Sequence, residues 1–189
     1  MDKALHILLI EDNPGDAGLV REALREHNIP FEMALASDGA EAESYLSRMG
    51  KTIDAPCPDL ILLDLNLPKV GGHEVLASFR AHPLCTLTPV IVLTSSNAPR
   101  DRELAIAMGA ARYFRKPSDL PDFLRLGSVI REVATEAGIA FGGSAFERGK
   151  SAPAFAEQEM ARGNSPGFRT GVRMVGPCTG LRTSGNPEG

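Results

Sequence analysis

Five polar side chains sit at or just past the ends of short apolar runs. Glu11 and Asp12 follow Leu5 to Ile10, Asp64 falls in Leu60 to Leu65, Thr94 closes Val90 to Thr94, and Lys116 follows Ala111 to Arg115. If the runs are strands of one parallel sheet, their carboxyl ends bring three carboxylates, a hydroxyl and an ammonium to one rim. Carboxylates held that close repel one another, so the cluster calls for a cation. Oxygen-only ligands without His or Cys favour Mg²⁺ or Mn²⁺. Such an ion keeps several waters and binds phosphate oxygens, which makes a phosphorylated ligand or protein group the natural further partner. Asp64 then has two readings. As a nucleophile toward phosphorus it would need the metal, and Thr94 and Lys116 as donors to the transferring oxygens. As a plain turn or cap residue it would need none of them. The company of Glu11, Asp12, Thr94 and Lys116 favours the nucleophile.

The elements that must position these residues follow from pattern. Five apolar runs, Leu5 to Ile10, Phe31 to Ala36, Leu60 to Leu65, Val90 to Thr94 and Ala111 to Arg115, alternate with amphipathic stretches. The second and fifth runs are weaker and are assigned as much by position as by composition. Helical stripes include Ala17, Val20 and Leu24; Ala42, Tyr45, Leu46 and Met49; and Phe123, Leu126, Ile130 and Val133. Shorter ones surround Val75 to Phe79 and Leu104 to Met108. Asn13 before Pro14 suits an N-cap and first helical position, Asp38 with Glu41 resembles a capping box, and Gly109 fits a C-cap. Strand-then-helix repeated five times predicts an α/β fold, a doubly wound five-stranded parallel sheet with helices on both faces. In such sheets function gathers beyond the carboxyl ends of the strands.

Composition bounds the function. The 189 residues carry a net charge of −4 and a pI near 5.6, with 43% hydrophobic and 23% charged residues. No broad basic field is present for nucleic-acid backbone. Cys57, Cys85 and Cys178 are scattered, without metal spacing, and read as reduced thiols. Behind Asp2 and Lys3, the run His6 to Ile10 is too short for a secretory or membrane-spanning segment, so a cytoplasmic location is expected. Residues 141–189 hold 10 of the 19 glycines and 4 of the 14 prolines. That composition predicts a disordered tail after a domain spanning 4–140. Four of the eight phenylalanines lie in the tail, at 141, 146, 155 and 168. They would be short docking elements or, in the favoured reading, part of an extension without a function of its own, inert or the product of an altered reading frame.

Taken together, Leu8-Leu9-Ile10-Glu11-Asp12-Asn13, Leu63-Asp64-Leu65-Asn66-Leu67-Pro68, Val92-Leu93-Thr94-Ser95 and Tyr113-Phe114-Arg115-Lys116-Pro117 resemble a response-regulator receiver domain over about residues 4 to 137. The resemblance implies a phosphoacceptor rather than an enzyme proper, one that assists its own phosphorylation and dephosphorylation in a two-component phosphorelay. Asp64 would accept a phosphoryl group from a sensor histidine kinase. Glu11, Asp12, Asp64 and the Asn66 backbone carbonyl would hold Mg²⁺, and Lys116 would pair with the phosphoryl group. Thr94 and Tyr113 would act as a switch, read out by a face made of the Asn97 to Met108 helix, the fifth strand and the Leu120 to Ala137 helix. There a downstream protein or a second copy would dock. Asn13-Pro14-Gly15-Asp16-Ala17, Asp64-Leu65-Asn66-Leu67-Pro68-Lys69 and Lys116-Pro117-Ser118-Asp119-Leu120 are similar to small stand-alone receivers paired with bacterial phytochrome kinases. No DNA-binding or membrane module is expected. His73 is read as a solvent-facing first-turn residue without a role.

Three other readings compete. A phosphohydrolase of the haloacid dehalogenase type would want Asp-x-Asp on its first strand, whereas Asp64-Leu65-Asn66 lies on the third and lacks the second acid. A flavodoxin-like cofactor module would want phosphate-cradling amides and hydroxyls where this chain has Glu11-Asp12-Asn13-Pro14-Gly15. A receiver-fold scaffold that is never phosphorylated would have no use for the full set of five pocket residues.

Overall fold

Long apolar runs with no polar break can be buried on both faces, and three of them form the middle of the sheet. The computed structural model describes residues 3–96 and 98–142. In chain order the elements are β1 (Leu5–Ile10), α1 (Pro14–Glu26), β2 (Phe31–Ala36), α2 (Gly39–Arg48), β3 (Leu60–Asp64) and α3 (Gly72–Ala81). They continue with β4 (Val90–Thr94), α4 (Pro99–Ala107), β5 (Arg112–Arg115), α5 (Leu120–Leu124) and α6 (Leu126–Glu136). The sheet runs β2-β1-β3-β4-β5, every neighbouring pair parallel. The doubly wound five-stranded arrangement is therefore as expected. β3 and β4 are buried at every position and β1 at all but His6, whereas the edge strands β2 and β5 are largely half-exposed.

Alternation along the strands splits the core into two layers. Leu8, Ile10, Ile61, Leu63, Val90 and Val92 pack with α2, α3 and α4, while Ile7, Leu9, Leu60, Leu62, Ile91 and Leu93 pack with α1, α5 and α6. Register then fixes the rim. Ile10 pairs with Leu63, Asp64 with Leu93, and Thr94 with Arg115. The ladder continues one residue further at Glu11, whose N–H reaches the Ala36 carbonyl at 3.0 Å, and at Lys116, whose N–H reaches the Thr94 carbonyl at 2.8 Å. By the same alternation Glu11, Asp64 and Lys116 point to the α1 side, and Thr94 and Tyr113 to the α4 side.

Local signals were kept in part. Asn13 caps α1 by accepting from Gly15 N–H at 2.8 Å, with Pro14 in the first turn. Gly109 has φ +93 and its N–H bonds the Ile106 carbonyl, closing α4 as expected. Asp38 accepts from Glu41 N–H at 2.8 Å, but the Glu41 carboxylate turns to Ser37 instead of Asp38, so the capping box closes one residue early. The expected Leu120 to Ala137 helix is broken at Arg125. There the bonds Arg125 N–H to Asp122 O and Ser128 N–H to Arg125 O run i to i−3 and tighten the turn. α4 begins at Pro99 rather than Asn97, which lies outside the described residues. His73 is half-buried, and its Nε2 is shielded without a hydrogen-bond partner, which corrects the solvent-facing assignment.

Packing continues to Phe141, which lies 5.9 Å beneath the Arg131 guanidinium, and to Gly142, whose N–H bonds the Lys3 carbonyl at 3.1 Å. The expected tail, with Phe146, Phe155, Phe168 and Cys178, otherwise lies outside the described residues. Cys85 is buried, with its sulfur 3.3 Å from that of Met49, and Cys57 is half-buried. No helix among the described residues is long and apolar enough to cross a membrane.

Candidate functional site

At the carboxyl rim, carboxylate oxygens of Glu11, Asp12 and Asp64 lie within 4.8 Å of one another. All three donors are oxygens, and ligands of one Mg²⁺ at about 2.0–2.1 Å lie up to about 4.2 Å apart, so side-chain movement of about half an ångström closes the cluster on one hard cation. The residues present therefore fit a single Mg²⁺ or Mn²⁺. Glu11 and Asp64 are buried and Asp12 is exposed, so water can complete the coordination from the open side.

Lys116 organises the cluster. Its Nζ lies 2.7 Å from Glu11 Oε2, 2.6 Å from Asp64 Oδ2 and 2.8 Å from Asp16 Oδ2. An ammonium has three N–H donors, and all three are engaged. Burial alone pulls the Lys116 ammonium down, but the bonds to Asp16, Asp64 and Glu11 together outweigh it and hold the group above its ordinary value. Glu11 shows the opposite balance. Its burial pushes the carboxyl up, only partly offset by the hydrogen bond and charge of Lys116.

The loop after β3 is tied to the acid it carries: Asn66 N–H donates to Asp64 Oδ1 at 2.9 Å, and Gly72 N–H reaches back to the Leu65 carbonyl at 3.2 Å. Close approach is required at Gly72, because a Cβ there would lie 2.4 Å from the Asp64 carbonyl oxygen. A second anchor comes from α2. Lys69, at φ +68, pairs with Asp38 at 2.5 Å, and Gly39 N–H reaches the Pro68 carbonyl at 3.3 Å. On the far side Thr94 is fully buried, and its Oγ1 accepts from Ser96 N–H at 3.0 Å and lies against the Tyr113 phenol. The amide of Asn66 approaches Thr94 Oγ1 at 3.5 Å and Ser95 Oγ at 3.4 Å. Tyr113 is half-buried and donates to the Ser96 carbonyl at 3.3 Å, and burial raises its phenol above the ordinary value.

The structure thus brings together Glu11, Asp12, Asp64, Asn66, Thr94 and Lys116, with Tyr113 one layer behind Thr94. Sequence reasoning passed over Asp16. The signal was its place three residues after the Asn13 cap, in the first turn of a helix that starts at the rim.

Comparisons with known proteins agree with this geometry. The family model described as "Response regulator receiver domain" matches residues 7–126. The response regulator Rcp1 of Synechocystis sp. is 38% identical over 120 residues, 64% of this chain and 82% of that protein. A solved Mn²⁺-bound form of response regulator Rcp1 superposes with a TM-score of 0.61 at 37% identity, covering 68% of this chain and 92% of that one. The phosphorylated cyanobacterial phytochrome response regulator RcpA gives a TM-score of 0.63 at 38% identity, covering 69% and 93%.

Proposed function

The chain belongs to the response regulator receiver family, and from that premise we propose that its domain, residues 4–140, takes a phosphoryl group onto Asp64 from a phosphohistidine of a sensor kinase. The observation that carries the reading is the convergence of Glu11, Asp12 and Lys116 on the buried Asp64 carboxylate. In the transfer the N–P bond of the phosphohistidine breaks, a bond forms between an Asp64 carboxylate oxygen and phosphorus, and the imidazole leaves with the electron pair and takes up a proton.

Glu11, Asp12, Asp64 and the Asn66 backbone carbonyl would hold Mg²⁺. Such an ion screens the carboxylates from the incoming phosphoryl oxygens. Lys116, already 2.6 Å from Asp64, donates to the transferred group, and the Thr94 hydroxyl, in turning to bond it, carries the change toward the α4 face. Thr94 bonding to phosphate vacates space that Tyr113, on the same side of the sheet, turns to fill. A shift of this kind is driven only by the difference in phosphate affinity between the two arrangements. The readout is a partner-binding surface on α4, β5 and the helices after it, open to a downstream protein or a second copy. Similarity to Rcp1 and RcpA supports a phytochrome-type histidine kinase as the donor.

Incubation with Mg²⁺ and a small acyl phosphate, followed by intact-mass measurement, tests the reading. One phosphoryl adduct is expected, absent in Asp64→Asn with the fold kept by circular dichroism. Turnover without an adduct would indicate a phosphohydrolase, and neither would indicate an unphosphorylated scaffold.

A further inference from the structure

Lys116 is asked to do something its present contacts do not allow. All three of its donors are spent on carboxylates, and two of those, Glu11 and Asp64, are the ones a divalent ion and a phosphoryl group would claim. Once they are claimed, the third contact, to Asp16 Oδ2 at 2.8 Å, is the one carboxylate bond left to the ammonium. Asp16 is not part of the ion cluster formed by Glu11, Asp12 and Asp64. It is also not spent on its own helix. At the third helical position a carboxylate ordinarily reaches back to the N-cap amide, but here Asn13 N–H donates to Glu11 Oε1 at 3.2 Å instead. Its backbone is held by Pro14 and the Asn13 cap, with Ala17 buried beside it.

Resting on the reading of Asp64 as phosphoacceptor, we propose that Asp16 is a positioning residue that keeps the Lys116 ammonium over the pocket when ion and phosphoryl group have taken its other partners. The same contact gives the ammonium a partner outside the ion cluster, and so lowers its competition with the ion for Glu11 and Asp64. Both effects have one sign: removing Asp16 weakens the ion and loosens the ammonium. A plain half-exposed ion pair would do neither to a measurable extent.

The test uses the full chain with ¹⁵N-labelled lysine, Mg²⁺ and beryllofluoride as a stable phosphoryl mimic. An immobilised ammonium protected from exchange gives a sharp proton–nitrogen resonance, assigned through its loss in Lys116→Ala. The wild type is expected to show it in the loaded state, Asp16→Ala to broaden it away, and Asp16→Glu to restore it. Calorimetric titration should find Mn²⁺ bound about tenfold more weakly by Asp16→Ala, from loss of one charge near the ion and a more competitive Lys116. If Asp16→Ala does not fold, Asp16→Asn is read by the same criteria. An unchanged resonance with Mn²⁺ affinity within about twofold of wild type overturns the role of Asp16 and leaves the phosphoacceptor reading standing. A wild type that binds neither Mn²⁺ nor beryllofluoride overturns both.

Discussion

Replacing Lys116 by Met keeps the stem's volume and removes the charge, and it tests whether the ammonium is what makes the acidic rim tolerable without an ion. The Lys116 side chain is 9% exposed, Glu11 0% and Asp64 6%, so two carboxylates would be left in a site with little water. Breaking a buried pair by deleting one partner costs about 3–5 kcal/mol. The lower end applies, since Glu11 can escape by taking a proton. Its folded pKa is already raised above the ordinary 4.5, so its contribution to stability is complete below that value and is lost as pH climbs through the raised one. Without Lys116 two lowering influences vanish and the folded value rises further. The gap between variant and wild type therefore opens with pH between pH 5 and pH 8, reaching about 3 kcal/mol, a Tm difference of roughly 10 °C. Urea unfolding in EDTA at the two pH values measures it. Mg²⁺ at about 100 times its Kd should return about 2.7 kcal/mol to the variant. A loss below about 1 kcal/mol at pH 8, or a gap that does not change with pH, would refute the reasoning.

Other perturbations have equally definite outcomes. Gly72→Ala would set a Cβ 2.4 Å from the Asp64 carbonyl oxygen and 2.5 Å from Leu65 Cα, so the backbone must yield by about 1 Å; a loss of about 1–3 kcal/mol and slower adduct formation are expected, and a wild-type Tm would contradict this. The half-buried Arg80 guanidinium donates to the carbonyls of Thr88 at 2.8 Å, Gly109 at 2.9 Å and Cys85 at 3.1 Å. Arg80→Lys cannot span all three and should lower stability by about 2 kcal/mol in urea. The Tyr45 phenol donates to the Pro56 carbonyl at 2.7 Å and is pushed up to about 12, by burial first and by the neighbouring Cys57 and Cys85 thiols next. Its stabilising contribution is complete below its ordinary value of 10.0 and is lost as pH rises toward about 12. With Tyr113→Phe removing the second tyrosine, phenolate absorbance should appear near 12, and a midpoint at 10.0 would count against the buried bond.

What could be read from sequence was what burial writes into composition. β1, β3 and β4 have almost no polar break, so their ends, and with them Glu11, Asp64 and Thr94, stood out. β2 and β5 lie at the edges with mixed exposure, and their identity came from position in the alternation as much as from their residues. α4 carried a weak stripe because only Ala105 of it is buried. Contacts between distant residues left no such mark. Nothing near Asp16 announces Lys116, which is 100 positions away, nor does Asp38 announce Lys69. The left-handed backbone of Lys69 is equally silent, because the residue type usually found there is glycine. Glu41 and Ser37 show the limit of short motifs: the spacing was right, and the Glu41 carboxylate accepts from the amide one residue before the cap.

α4 joins the core through Ala105 alone and leaves Leu104 and Ile106 at 44% and 47% exposure, so it contributes little to the reserve that keeps the domain folded. A helix seated so lightly can drift in sequence without endangering its host. Under the proposed function, sensitivity to phosphorylation at the rim and durability of the protein are thereby written in different residues, and selection can retune the one while leaving the other untouched.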